Sequence, residues 1–285
     1  MTSAAIAGRS TVHLKVLSAG AVKYVLTDFA PRFTRDTGDQ VEFTFGTIGG
    51  VQKRLGDGET ADIIMGTAPA ISQMEQSGVI AAGSRADLGR TLTGICVRAD
   101  TPMPDISTPG GFKQTLLKAR SVAYTNPQAG GTSGIFLVGL LERLGIAEAV
   151  GKKALLCING DEVVDKVSAG DAEIGSTFLS EIVPMKAVKA VGALPPPMQN
   201  ATAYAAGIMT GSSNPEAAER FIAMLTAPAQ RNAWLSLGFE PAGHGWSPRP
   251  RGRIGGGVQK ARRTGKAAMP IRGRPQPRHV TTTIT

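Results

Sequence analysis

A glycine-rich turn near the middle of the chain has the composition of an anion-binding site. Residues 126–134 read Asn-Pro-Gln-Ala-Gly-Gly-Thr-Ser-Gly, and the apolar run 135–144 that follows has the length of a helix. N–H groups at a helix N-terminus lack backbone partners and carry partial positive charge. The hydroxyls of Thr132 and Ser133 add two donors. The turn predicts an anion at this helix start, although a simple capped helix has the same pattern.

Three other strand ends carry small, hydroxyl-bearing residues of the same kind. They are residues 16–21, which include Ser18, residues 41–50, which include Thr47, and residues 174–178, which include Ser176. In an open parallel sheet, the carboxyl ends of the strands gather at one edge, where ligands bind. We therefore expect all four turns to line one site.

The elements that carry these turns alternate along the chain. Period-2 and short apolar runs predict strands, and apolar residues at helical spacing predict helices. This alternation predicts an α/β fold with mostly parallel pairing. The predicted strands are 16–21, 41–45, 62–65, 92–97, 121–124, 154–158, 172–178, 189–194 and 203–209, and the predicted helices are 22–33, 51–55, 70–78, 112–119, 135–144, 161–169 and 215–225.

The net charge of +9 is concentrated at the C-terminus. Residues 243–285 contain ten Lys and Arg and no acid, so residues 1–242 carry a net charge of −1 and predict no nucleic-acid partner. The Arg, Gly and Pro content of 243–285 predicts a disordered tail. An arm for nucleic acid or an acidic membrane is one interpretation. A shifted reading frame is the other, and the abrupt change of composition favours it.

The remaining inventory argues against several chemistries. Before residue 243 the chain has one histidine, His13, so a Ser-His-Asp site or a histidine metal site is not expected. Cys96 and Cys157 lie in apolar strand-like runs, where free cysteines pack as small hydrophobes. No run approaches the ~20 apolar residues of a membrane span. We predict no metal and no cofactor.

The order of these pieces resembles the bacterial solute-binding proteins of the molybdate-binding type. The resemblance covers about residues 14–241, and its motifs are Ser-Ala-Gly-Ala-Val, Phe-Gly-Thr-Ile-Gly-Gly, Ala-Asp-Ile-Ile, the 126–134 turn, Gly-Asp-Ala-Glu-Ile-Gly and Leu-Gly-Phe-Glu-Pro. It implies a type II periplasmic-binding-protein fold, in which two α/β lobes with mostly parallel sheets are joined by two crossing strands. The implied first lobe is 13–93 plus 205–242, the implied second lobe is 94–204, and the crossings lie near 93–97 and 204–208.

The resemblance also implies a set of ligand-binding residues. Ala21 and Ile48 stand where the family has ligand-binding serines, and Tyr204 stands where it has a ligand-binding tyrosine. Because both serine hydroxyls are missing, a carboxylate-bearing anion fits the site at least as well as a tetrahedral oxyanion. Ser133 and Thr177 fall where the family uses backbone N–H groups. The predicted ligand-binding residues are Ser18, Ala21, Thr47, Ile48, Gly49, Thr132, Ser133, Ser176, Thr177 and Tyr204.

Two functions follow from the resemblance. The first is a monomeric substrate-binding component of an ABC-type transporter, with a permease as partner. The second is an isomerase of a small tricarboxylic acid, because relatives of this fold include aconitate isomerase. That reaction needs a general base, for which Lys23, Tyr24, Tyr124 and Tyr204 are candidates. Packing or solvation is the stronger interpretation of each of them, so we predict no catalytic residue.

The resemblance and the N-terminal residues indicate different compartments. Proteins of the molybdate-binding type are normally exported, which implies a periplasmic location. Residues 1–9 lack the basic start and the apolar run of a signal peptide. The sequence as written therefore predicts a cytoplasmic protein.

Overall fold

The computed structural model describes residues 10–242, in which strands and helices alternate as expected. The strands are β1 (His13–Ala19), β2 (Gln40–Gly46), β3 (Ile63–Thr67), β4 (Ala86–Arg98), β5 (Val122–Thr125), β6 (Ala154–Cys157), β7 (Ile174–Phe178), β8 (Val188–Ala193), β9 (Ala201–Ile208) and β10 (Phe239–Pro241). The helices are α1 (Lys23–Thr37), α2 (Ile48–Gly56), α3 (Ala68–Gln76), α4 (Pro109–Lys118), α5 (Thr132–Arg143), α6 (Ala147–Gly151), α7 (Gly160–Ala169), α8 (Leu179–Ile182), α9 (Pro215–Thr226) and α10 (Arg231–Ser236). The interpretations of the N-terminus and of the basic tail concern residues outside this range.

The α/β fold is confirmed, and the sheet is mixed. Its main strand order is β2-β1-β3-β9-β4-β7-β5-β6. The outer strands pair in parallel, namely β1 with β2 and β3, and β5 with β6 and β7. The central pairs β3–β9, β9–β4, β4–β7, β4–β8 and β4–β10 are antiparallel. Parallel pairing is confined to the units in which helices connect successive strands. Strands β4 and β9 carry the chain from one such unit to the other, and they pair antiparallel with their neighbours.

Strand β4 belongs to two lobes. Residues 86–92 of β4 pair with β9, and residues 93–98 pair with β7 and β8. We call β1–β3, β9 and β10 with their part of β4 the first lobe, and β5–β8 with theirs the second lobe. The strand is longer than the predicted 92–97. Its first part was not predicted because Gly89, at a φ of +155°, lies beside a register shift that interrupts the alternation of side chains.

The return to the first lobe occurs between β8 and β9. All of β9 pairs with first-lobe strands, whereas β8 pairs with the second-lobe part of β4. The change therefore falls between Ala193 and Ala201, upstream of the expected crossing at 204–208. The predicted lobe boundaries of 13–93, 94–204 and 205–242 stay a prediction.

Each lobe has its own apolar core. In the first lobe, Phe33 of α1 lies edge-on to Phe221 of α9, with ring centroids 5.1 Å apart. Trp234 of α10 packs in the same way against Phe239 of β10, at 5.2 Å. All four rings are at most 1% exposed, and burial of each contributes about 1.5–3 kcal/mol. These contacts hold the C-terminal elements on the first lobe.

The two cysteines are buried free thiols, as their apolar surroundings predicted. Burial raises the pKa of Cys96 to about 12 and that of Cys157 to about 11, so both thiols stay protonated. Separately, no helix within residues 10–242 has the length and apolar character needed to cross a bilayer.

Candidate functional site

A cavity lies where the predicted turns of the two lobes meet. It lies at the carboxyl ends of β1, β2, β5 and β7, is partly open to solvent, and has a volume of about 30 Å³ for the centres of water-sized molecules. Sequence reasoning placed the four turns at one site for this reason, and the structure brings them together. The lining residues are Ala19, Gly20, Ala21, Gly46, Thr47, Ile48, Thr125, Gly131, Thr132, Ser133, Asn159, Gly160, Phe178, Glu181 and Tyr204.

The starts of four helical segments border this cavity. The short 3-10 turn Gly20–Val22 leads into α1, and the N-caps of α2, α5 and α7 are Thr47, Gly131 and Asn159. The first N–H groups of each helix have no intrahelical acceptor. Among the described residues, no Lys, Arg or His lines the cavity. Partial charges of helix starts therefore provide the positive potential in the cavity.

The 126–134 turn is built around Thr125. The Oγ1 atom of Thr125 accepts a hydrogen bond from the N–H of Gly134 at 2.9 Å and lies 2.9 Å from the Oγ of Ser133. Gly134 has to be glycine, since a Cβ atom there would lie 1.7 Å from the carbonyl oxygen of Thr125. This contact fixes the first turn of α5 against the end of β5, beside the cavity.

Glu181 is the one acidic residue among the described residues that line the cavity. It lies in the first turn of α8 and is 5% exposed. Its Oε2 atom accepts hydrogen bonds from the Thr177 hydroxyl at 2.5 Å and from the Phe178 N–H at 3.3 Å. Burial raises the pKa of Glu181 to about 7, and the charge of Asp161 adds to this effect against the two hydrogen bonds and Lys23. The site therefore contains a carboxyl group that titrates near neutral pH.

The N-terminus of α7 packs directly against this carboxyl group. A Cβ atom added to Gly160 would lie 2.1 Å from the Glu181 Cδ and Oε2 atoms. On the first-lobe side, a Cβ atom on Gly20 would lie 3.5 Å from Oε1. Two backbone segments, one from each lobe, thus flank Glu181, and the one at Gly160 leaves no room for a side chain.

Two groups of contacts close the cleft over the cavity. On one side the Thr47 hydroxyl donates to the Ala129 carbonyl oxygen at 2.6 Å, and the backbones of Gly49 and Gly130 touch. On the other side Lys23 forms a 2.5 Å ion pair with Asp161, and the Tyr24 hydroxyl donates to the same carboxylate at 2.9 Å. Because these pairs link different lobes, the structure represents a closed cleft.

Six of the ten predicted ligand-binding residues border the cavity. Thr177 lies behind it, with its hydroxyl on Glu181 and 3.5 Å from the Oγ of Ser133. Gly49 lies at the contact between the lobes. The six are Ala21, Thr47, Ile48, Thr132, Ser133 and Tyr204, and a ligand-binding role for all ten residues stays a prediction.

Ser18 and Ser176 do not line the cavity. The Ser18 hydroxyl is buried and donates to the Ala19 carbonyl oxygen at 3.1 Å. The Ser176 hydroxyl is buried and has no hydrogen-bond partner within the described part of the chain. Successive side chains point to opposite faces of a strand, so a hydroxyl near a strand end does not necessarily face the cavity.

The sequence predicted the helix 161–169, but neither Glu181 nor the start of this helix was expected at the site. Glu181 lies three positions after the N-cap residue Phe178, but a capping-box pattern is recognised by Ser, Thr, Asp or Asn at the N-cap, so the sequence carried no clear signal for it. Three of the four candidate bases are not in the lining: Lys23 and Tyr24 contact Asp161, and Tyr124 is buried in β5. Tyr204 remains at the cavity, where burial and the charge of Glu181 raise its pKa well above the ordinary value.

A wider open groove lies elsewhere on the first lobe. It is lined partly by Arg85, Arg90, Asp87 and Glu240. Arg85 pairs with Asp87, and Arg90 pairs with Glu240. Arg231 also lines the groove, so of the residues described, three arginines face two acidic residues there.

Comparison with known proteins agrees with this arrangement. Residues 14–240 match the family described as bacterial extracellular solute-binding protein. The chain belongs to this family. Its members supply ABC transporters with a solute-binding component that works with a permease, and the resemblance to the molybdate-binding type is thereby confirmed.

Individual relatives of this solute-binding protein differ in what their names describe. A Pseudomonas aconitate isomerase is 31% identical over 242 residues, which are 83% of this chain and 90% of the relative. The periplasmic molybdate-binding protein of Azotobacter vinelandii has a TM-score of 0.64 at 20% identity and covers 79% of this chain and 98% of its own. The sulfate-binding protein of Mycobacterium tuberculosis has a TM-score of 0.65 at 16% identity, with coverages of 81% and 88%. The two structures show a shared fold.

Proposed function

We propose that this protein binds a small di- or tricarboxylate between its lobes, as the periplasmic solute-binding component of an ABC transporter. The observation that carries the proposal is the meeting of four helix starts around a cavity that no Lys, Arg or His of residues 10–242 lines. Helix starts and hydroxyl groups hold an anion without a full counter-charge. The permease would act as the partner of the closed, ligand-bound form.

Three features favour a carboxylate over a tetrahedral oxyanion. Ala21 and Ile48 present apolar side chains where the molybdate-binding type presents hydroxyls. The Glu181 carboxyl group lies in the same cavity and is compatible with a ligand carboxylate when the two share a proton. The name of the Pseudomonas relative also refers to a tricarboxylate.

A ligand panel tests this proposal. The purified protein would be heated with molybdate, tungstate, sulfate, phosphate, citrate and both aconitate isomers, because a ligand of the native state stabilises it by about 2.7 kcal/mol at 100 times its Kd. We expect stabilisation by at least one polycarboxylate. Stabilisation by molybdate and tungstate alone would contradict the proposal.

A second candidate function is isomerisation of a small tricarboxylic acid. The 31% identity to aconitate isomerase over 90% of its length favours it, together with a buried carboxyl group whose pKa of about 7 suits a general base. Shifting the double bond of aconitate removes a proton from one carbon and adds one to another. Proton NMR of each isomer incubated with the protein would reveal interconversion. Binding of aconitate without turnover would leave transport as the function.

A further inference from the structure

We propose that Glu181 takes up one proton when the anionic ligand binds, so that a neutral carboxyl group faces the ligand in the closed cleft. This inference rests on the proposed function and names the group that links carboxylate binding to pH. It follows from where the carboxyl group lies, which charges surround it and what the closed cleft excludes.

Only one of the two carboxyl oxygens of Glu181 is available to hydrogen-bond a ligand. Both of its hydrogen bonds within the protein go to Oε2, from Thr177 and Phe178. Its other oxygen, Oε1, lies toward Gly20 at the first-lobe edge of the same cavity. A proton on the carboxyl group is therefore available to an oxygen atom of a ligand held between Gly20 and the start of α7.

The surrounding charges do not neutralise a second anion. Helix α7 contributes Asp161, helix α1 contributes Lys23 and Tyr24, and strand β9 contributes Tyr204. Lys23 is paired with Asp161, so this pair adds no net charge. Two carboxylates in a closed site without a cation repel each other, and such pairs share one proton.

Protonation of Glu181 requires little free energy near neutral pH. Burial already raises the pKa of Glu181 to about 7, and the negative charge of a ligand beside it raises this pKa further. The protonated group then donates an O–H···O⁻ hydrogen bond, which is among the stronger kinds of hydrogen bond. Binding in this form requires one proton from solvent for each Glu181 that was ionised.

Calorimetric titration measures this proton directly. Citrate and trans-aconitate would be titrated into the full chain between pH 7.5 and 9, where the ligands are fully ionised, in buffers with different ionisation enthalpies. We expect uptake that approaches one proton per ligand and an affinity that falls about tenfold per pH unit. Glu181→Gln keeps a neutral donor and should bind without proton uptake and without pH dependence in this range.

A control variant and the wild-type protein together decide the outcome. Glu148→Gln removes an exposed second-lobe carboxylate that pairs with Lys152, and should keep the wild-type linkage. Carboxylate binding with no proton uptake overturns this inference and leaves the proposed function intact, whereas no binding of either ligand from pH 5.5 to 9 overturns both. Linkage that persists in Glu181→Gln overturns the assignment. If that variant does not fold, the wild-type proton count decides alone.

Discussion

The Glu181 carboxyl group is buried between two backbones, and this burial has consequences for the ligand-free protein as well. Its pKa is about 7 in the folded state, against an ordinary value of 4.5. The folded protein therefore holds a proton that the unfolded chain has lost across this interval. Its contribution to stability is complete below about pH 4.5 and disappears as the pH rises to 7.

Glu181→Gln separates this effect from the remaining titrations. The glutamine is neutral at every pH, so the variant should gain stability relative to wild type as the pH rises from 5 to 8, by up to about 3 kcal/mol. Urea unfolding of both proteins without ligand measures the difference. Glu148→Gln should show no such trend. If the unfolding free energies of wild type and Glu181→Gln differ by the same amount at pH 5 and pH 8, the assigned pKa is contradicted.

Gly160→Ala tests the close contact between α7 and the carboxyl group. The added Cβ atom would lie 2.1 Å from Glu181, so Glu181 or the helix start has to move. We expect at least a tenfold loss of carboxylate affinity, measured by calorimetry. Gly151→Ala is the matched control, because its Cβ atom meets nothing within 4 Å. Equal affinities for the two variants would show that this contact is unimportant for binding.

Among the secondary-structure elements, the helix starts have two roles at once. Thr47 caps α2 by accepting from the Gly50 N–H at 3.0 Å, and the same hydroxyl donates across the cleft to Ala129. Thr108 caps α4 with the same geometry, accepting from the Gly111 N–H at 3.0 Å. No bond from Thr108 to the other lobe is present among the described residues. Thr47 therefore combines helix capping with a contact across the cleft, whereas Thr108 only caps its helix, so variants of the two distinguish the roles.

Thr47→Val should lower both stability and ligand affinity. Loss of an N-cap costs about 1 kcal/mol of unfolding free energy, and loss of the bond to Ala129 weakens the closed form. Thr108→Val should lose similar stability and keep wild-type affinity, and Thr47→Ser should restore both properties. Chemical unfolding and calorimetry on the three variants check this. An affinity loss in Thr108→Val as large as in Thr47→Val would contradict a closure role for Thr47.

For the whole molecule, the balance between open and closed clefts depends on few contacts. The Lys23–Asp161 pair links α1 of the first lobe to α7 of the second, and both side chains are about one-third exposed. An ion pair of this exposure contributes at most about 1 kcal/mol. A contribution of this size changes the ratio of open to closed molecules several-fold.

Asp161→Asn should shift the ligand-free protein toward the open form. Small-angle X-ray scattering should record a larger radius of gyration than for wild type, and saturating ligand should remove most of the difference. Asp57→Asn, which removes an ion pair within the α2 region, is the control and should leave the scattering unchanged. A wild-type scattering curve for Asp161→Asn would show that this pair does not control closure.

The sequence by itself determined the local features of this protein. The Gly-rich turn at 126–134, the apolar face of α9 with Ala218, Phe221, Ile222 and Leu225, and the alternation of strands and helices all follow from nearby residues. Turn chemistry and side-chain period are short-range properties. They were enough to predict the fold class and to place Thr47, Thr132 and Ser133 at the site, whereas Ala21, Ile48 and Tyr204 were predicted from the family resemblance.

Only the tertiary structure decided which residues meet inside the cleft. Glu181 contacts Gly20 and Gly160, and Thr47 bonds to Ala129, although these residues are far apart in sequence. It also decided which strand-end hydroxyls face the cavity, since Ser18 and Ser176 lie outside its lining. The physical reason is that contacts between the lobes join residues far apart in the chain and leave no periodic signal in the sequence. The alternation along a strand separates its side chains into two faces, but it does not tell which face meets the cleft.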